Sequence, residues 1–401
     1  MGDRTRNIWN DDDGESALRQ REKKHPLRRL GLFLLIVLAV LAVVLVAAWR
    51  DGTGFDALLR RFAYGSAQSE SGTVSFTYDA ANNNRFAVLG DGLAVLSGTQ
   101  FQVLDSEGKQ VYSATVKMEN PALTVGGGRA VAYDVGGTEL YAADLSGELF
   151  HLTADSSEPF IDVTVNEKGW MAVTAEKKSY KGSVRVYDSE ADGEGDEVFE
   201  FKSSKRFLVG AYVTDDCKSL AAVTLGQSSS VFISDVILYD LDEEEPRANY
   251  NIRNGLVLAI GEKGGRLAAV TDTGLTFGTT AGEAAETYGF SGQYLREYDL
   301  GGDGYTALLL NRYQSGSVGR LVTVGDDGQE IASLDVREQV LSISASGRYL
   351  AVLYTDKLVI YNPELQEYAT LTGTNMAKEA LVREDGSALL ISSENARLFL
   401  P

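Results

Sequence analysis

Chemistry-bearing side chains are scarce in this sequence. The one cysteine, Cys217, excludes an intramolecular disulfide and thiolate metal sites, and is expected at the start of a buried strand. The two histidines, His25 and His151, are too few for a multi-histidine metal site. No nucleophile motif accompanies His151, so a Ser-His-Asp triad has no support and the residue reads as part of a strand. Basic residues number 37 against 57 acidic ones, a net charge of −20, and the acid excess lies entirely after residue 49. Such a surface repels nucleic acid and anionic lipid, so no nucleic-acid partner is expected.

What the chain does have is a repeat. A glycine or Asp-containing turn is followed at once by a short apolar run centred on Ala-Val. It occurs at Gly92-Leu93-Ala94-Val95, Gly128-Arg129-Ala130-Val131, Gly169 to Val173 and Asp216 to Val223. It returns at Gly265 to Val270, Gly304 to Leu308, Gly347 to Val352 and Gly386 to Leu390, an average step of 42 residues. A period of this size, all strand and no helix, predicts an all-β fold, a β-propeller. Each unit carries four strands joined by tight turns. The third ends in Asp or Asn, as in Val184-Arg185-Val186-Tyr187-Asp188 and Leu358-Val359-Ile360-Tyr361-Asn362, residue types that bond their own turn. The small Ala-Val strand suits a position buried on both faces between blades.

The last unit supplies only three strands, around Ala380–Val382, Leu389–Ile391 and Arg397–Leu400. Thr73–Tyr78 is free to provide the fourth, which closes the ring and removes two exposed sheet edges. Eight blades are therefore expected, with seven and an irregular end as the alternative.

Leu30–Ala48 is an uncharged apolar run of 19 residues, enough to span a bilayer core as a helix. Arg19, Arg21, Lys23, Lys24, Arg28 and Arg29 precede it, so the positive-inside rule puts the N-terminus in the cytoplasm and the propeller outside. A cleaved signal peptide is the rival, but its apolar core is usually shorter. The expected organisation is a disordered cytoplasmic tail at 1–29, a transmembrane signal-anchor at 30–49, an amphipathic helix and linker at 50–72, and the propeller at 73–401. Phe55, Leu58, Leu59 and Phe62 share one helical face, with Arg60 and Arg61 toward lipid headgroups.

In a propeller the loops joining second to third strands share a face with the connections between blades. Three such loops look long: Glu176–Gly182, Gly226–Ser230 and Asn311–Gly316. Lys177, Lys178, Tyr180 and Lys181 in the first, and Arg312, Tyr313 and Gln314 in the third, combine cations with aromatics on an acidic domain. That vocabulary suits sugars, carboxylates or an acidic protein segment. Solvated loops are the plain alternative. For metal, only a weak calcium candidate stands out, Asp188, Asp192 and Asp196 around glycines. Position three of that loop is Glu190 and position twelve Phe199, not the bidentate Glu of an EF-hand. Paired carboxylates for glycoside hydrolysis are invisible at this level.

The Gly-turn/Leu-Ala-Val strands and Tyr-Asp strand ends of residues 73–401 resemble the WD-repeat-like and quinoprotein-like propeller superfamily. The Gly-His and Trp-Asp signatures of true WD repeats are absent, and only Trp49 and Trp170 follow the tail, which departs from the quinoprotein docking pattern. The full layout also resembles a bacterial family of single-pass membrane propellers classed as a domain of unknown function. The resemblance implies fold and topology and supplies no catalytic residues or cofactor. The expectation is a membrane-anchored, extracytoplasmic scaffold that binds a protein or envelope ligand without catalysis. The alternative is an enzyme acting on envelope glycans; a sensor reporting through residues 1–29 ranks third.

Overall fold

The computed structural model describes residues 34–43, residue 60 and residues 74–401, apart from 82, 192, 194, 229, 230, 244, 253 and 254. Residues 34–43 are helical and exposed, and the remainder of Leu30–Ala48 lies outside the described residues. Among the described residues no helix is long and apolar enough to cross a membrane.

From residue 74 on, the described residues form thirty-two strands in eight four-stranded antiparallel sheets. These are the eight blades, and each of the first seven is a simple meander. Blade one runs from β2 (Arg85–Leu89) through β3 (Gly92–Leu96) and β4 (Gln100–Leu104) to β5 (Gln110–Thr115). The eighth blade is composite: β30 (Glu379–Val382), β31 (Ala388–Ile391) and β32 (Asn395–Phe399) are completed by β1 (Ser75–Thr77). The closing register sets Ser75 opposite Arg397 and Thr77 opposite Asn395. The closure expected from the chain ends is the one observed.

Second strands are largely buried, and β3, β23 (Tyr305–Asn311), β27 (Tyr349–Tyr354) and β31 are buried along their whole length. Small alanines on them let adjacent blades approach, so the core is eight apolar layers between blades. One layer sets Leu89, Leu96 and Phe101 of blade one against Ala130, Ala132 and Ala143 of blade two. Fourth strands such as β5 and β29 (Glu367–Thr372) alternate exposed and half-buried residues, as outer strands facing water should.

The turn before each second strand explains the glycine repeat. Gly128, Gly169, Gly265, Gly304, Gly347 and Gly386 all hold positive φ there. In blade four the left-handed position falls to Cys217 (φ 59), in the turn and half-buried, not at the start of the strand as expected. His151 lies on a fourth strand, stacked on Tyr141 with its Nε2 2.6 Å from Glu139 Oε2.

Two further expectations are corrected. Gly226–Ser230 is not a long loop: β15 (Ser219–Ser228) and β16 (Val231–Asp240) stay paired until Ser228 faces Val231. Small polar residues hid the strand, but the cross-strand ladder holds it. Arg60 does not point toward headgroups. It is buried against the propeller, bonded to the Tyr368 hydroxyl and to the backbone oxygens of Asp385 and Pro401. A guanidinium beside three acceptors is better satisfied there than in solvent.

Candidate functional site

Antiparallel meanders put the second-to-third-strand loops and the connections between blades at one end of the ring, here called the upper face. The turn before each second strand lies on the lower face, and so does the point where Arg60 meets the propeller.

On the upper face of blade three, the loop 176–182 joins β11 (Met171–Ala175) to β12 (Ser183–Tyr187). Lys177 Nζ lies 2.8 Å from Glu158 and 3.7 Å from Glu200, so this cation anchors the loop. Ser179 takes a left-handed φ and the Tyr180 N–H donates to the Lys177 carbonyl, a tight turn that presents Lys178 and Tyr180 outward. The Lys181 N–H donates to the Ser203 carbonyl, and its ammonium stands 4.7 Å from the centre of the Phe207 ring. On blade six, the loop 312–318 closes through Arg312 N–H to the Val318 carbonyl and Asn311 Nδ2 to the Gly316 carbonyl. The Arg312 guanidinium sits 5.6 Å from the Tyr313 ring centre, and Gln314 is exposed. A pocket of about 370 Å³ opens at the root of this loop, lined by Arg296, Asn311, Ser317 and Gln339 with Leu309 and Val340.

The two predicted loops are not brought together, because blades four and five separate them. Those blades fill the interval with exposed apolar side chains: Phe207, Phe232, Leu256 and Leu258, followed by Tyr294 of blade six. Val135, Val318 and Met376 add to the same face, as do Tyr180 and Tyr313 of the two loops; among the described residues the remaining exposed large hydrophobics of the propeller, Val198 and Ile331, lie near the lower ends of outer strands, Val198 beside the lower cavity. Sequence reasoning missed this concentration, since its members come from seven separate segments. The lower face instead carries a more polar cavity of about 600 Å³ beside Trp170, Cys217, Lys218, Asp242 and Arg247.

The calcium candidate gains no support. The Asp188 carboxylate accepts from the Glu190 N–H in its own turn. The Arg129 guanidinium, which bonds the Ser189 carbonyl at 2.6 Å, already supplies a positive charge beside Asp188 and Glu190. Asp192 lies outside the described residues. Among the described residues no group of three or more His, Cys, Asp or Glu could hold a metal ion.

Innermost strands carry carboxylates that sequence reasoning also missed. Burial pushes Asp162 up to about 6, against the Tyr133 hydroxyl that favours its charged form. Burial likewise raises Glu297 and Glu379 to about 7 each; Glu297 is relieved by the Ile343 N–H and Glu379 by nearby Arg85. Asp299, raised by burial, accepts from the Ala345 N–H at 2.8 Å and the Gly301 N–H at 2.6 Å. Glu297 and Asp299 also have a structural part. Glu297 and Asp299 on β22 (Tyr294–Asp299) satisfy the inner edge of β26 (Val340–Ser346), whose Ser342 and Ser344 accept from Ala380 and Val382 of β30. Each side chain covers backbone groups that have no strand neighbour across the channel. A polar residue at alternate positions of a first strand was the available signal.

Solved structures place the fold among the WD-repeat-like and quinoprotein-like propellers. The C-terminal WD40 domain of Sif2 is similar at 13% identity, covering 82% of this chain and 100% of that one, with a TM-score of 0.55. BamB from Moraxella catarrhalis is similar at 13% identity, covering 82% and 98%, with a TM-score of 0.51. A quinohemoprotein alcohol dehydrogenase, ADHIIG from Pseudomonas putida HK5, matches at 10% identity over 80% and 71%, with a TM-score of 0.50. At these identities the likeness is one of fold alone. No curated protein matches the chain. Its family is nevertheless defined: by the match of residues 66–372, the chain belongs to the Family of unknown function (DUF5711).

Proposed function

We propose that this chain is a membrane-anchored extracytoplasmic propeller whose upper face binds a protein or cell-envelope partner without catalysing a reaction. The observation that carries this reading is the gathering of exposed aromatic and aliphatic side chains on one face, interspersed with Lys178, Lys181 and Arg312 on an otherwise acidic domain. Exposed apolar side chains among cations suit a partner that buries them and supplies acid groups. The anchor rests on the apolar run at Leu30–Ala48 and its basic N-terminal flank.

Pull-down from intact cells tests the binding surface. A partner held by wild type and lost when Lys178, Tyr180, Arg312 and Tyr313 are changed to Ala supports it; an identical catch retires those loops. Cys217 tests the topology. A membrane-impermeant maleimide labels this half-exposed thiol in intact cells if the propeller lies outside, and only after lysis if it does not.

The raised carboxylates Glu297 and Glu379 favour a second reading, a glycan-cleaving enzyme with its acid in the channel. Turnover of envelope glycan fragments by wild type, abolished by Glu379→Gln, would establish it.

A further inference from the structure

The two central strands of blade four outrun their neighbours. The last partner that β14 (Phe207–Val213) gives β15 is Phe207, opposite Leu225. On the other side, β17 (Ala248–Ile252) reaches β16 only as far as Ile252 opposite Ser234. Pairing between β15 and β16 continues to Ser228 and Val231. A two-stranded arm, 226–228 paired with 231–233, therefore stands on the upper face with no strand on either flank among the described residues.

The register fixes which groups it offers. A two-residue connection makes Ser228 and Val231 the hydrogen-bonded closing pair, and such pairs alternate along an antiparallel ladder. Gln227 and Phe232 then turn their backbone N–H and C=O away from each other, out of the hairpin. Leu225 points the same way as Gln227 and finds Phe207; Gln227 is where the next partner would sit. Lysine, proline and bulges normally guard such an edge, and Gly226-Gln227-Ser228 has none of them.

Side chains divide by the same parity. Phe207, Leu225, Gln227 and Phe232 share one face of the sheet, and the two phenylalanines are 58% and 61% exposed. On the opposite face the Arg206 side chain packs beside Gly226, with its guanidinium on Asp235 and nearly half exposed. Lys205 precedes it, also exposed. One face of the arm is aromatic, edged by the Lys181 ammonium beside Phe207, and the other carries the Arg206 guanidinium, paired with Asp235.

We propose that this arm binds an extended peptide segment of alternating apolar and acidic residues by strand addition along Gly226–Ser228. The added strand lays its apolar side chains beside Phe207 and Phe232 and its carboxylates toward the half-exposed Arg206. This rests on the upper-face reading above and names the partner's chemistry and its mode of docking.

The test uses the full chain and a fluorescent peptide of four Leu-Asp repeats, with four Leu-Lys repeats as the charge control. Wild type and Gln227→Ala, which keeps the backbone donor, should bind the Leu-Asp peptide alike. Gln227→Pro removes only an outward-facing N–H, so it should bind about tenfold more weakly at an unchanged melting temperature. A fully N-methylated Leu-Asp peptide asks the same question without altering the protein, and should lose binding too. Unchanged affinity for Gln227→Pro or for the N-methylated peptide overturns strand addition. If Phe232→Ser still weakens binding in that case, the upper-face reading survives it. Equal binding of the Leu-Lys peptide overturns the acidic preference, and no saturable binding of Leu-Asp below about 1 mM overturns the proposal altogether.

Discussion

Arg60 reaches across the chain to Tyr368: its Nη2 lies 2.7 Å from the tyrosine hydroxyl and 3.2 Å from the carbonyl oxygen of Pro401, while Nη1 donates to the carbonyl of Asp385. Tyr368 belongs to the outer strand of blade seven, and Asp385 and Pro401 to blade eight and the segment that follows it. One buried side chain thus joins the segment before the propeller to the seam at which the ring closes. Arg60→Ala is expected to lower stability by about 2 kcal/mol in urea denaturation, since charge-assisted bonds are lost and buried acceptors left open. Arg60→Lys should recover only part of that, because an ammonium cannot present the guanidinium fork.

Closure itself depends on Phe76, fully buried beside Leu389 and Leu398 of the C-terminal strands. Phe76→Ala should cost about 4 kcal/mol. Phe232→Ala, on the exposed arm, should stay within about 0.5 kcal/mol of wild type. Comparable losses in the two variants would contradict the composite blade.

Cys217 occupies a left-handed turn position that glycine fills in most other blades. Replacing it by glycine removes the steric cost of its Cβ and should raise stability by about 1 kcal/mol. Cys217→Val should do the reverse, because a branched side chain suits that conformation least. Thermal denaturation of the two variants reads both signs.

Glu297 and Glu379 titrate near 7 in the fold, against an ordinary value of 4.5. Across that interval the folded state holds protons the unfolded chain has released, so stability should fall as pH rises from about 4.5 to about 7 and then level off. Glu379→Gln should flatten the decline. Glu297→Gln should do so too while keeping an acceptor for the Ile343 N–H. An equally steep decline in both variants would mean that other groups set the pH dependence.

The repeat was legible because each blade needs a turn at positive φ beside a strand buried on both faces, and Gly-Leu-Ala-Val records both demands. Counting the strands left at the two ends gave the closure. Arg60 was not legible: beside an apolar run a lone arginine looks like a headgroup contact, and Tyr368 is 308 residues away. Gly226–Ser228 looked like loop because a strand with no neighbours on its flanks needs no apolar face. The crest of Phe207, Phe232, Leu258 and Tyr294 could not be seen from spacing, since neighbours around a ring are far apart in sequence. Lys177 shared its loop's composition with Lys178, but only the structure shows that it is ion-paired.

The most direct test of a working upper face is photo-crosslinking in intact cells. A photoreactive residue is placed at Phe232, Tyr294 or Tyr313 above, and at Lys218 or Asp242 below. Binding through the upper face predicts one discrete adduct from all three upper positions and none from the lower two. Adducts from Lys218 or Asp242, with none from the upper positions, would contradict it and move the working surface to the cavity beside Trp170.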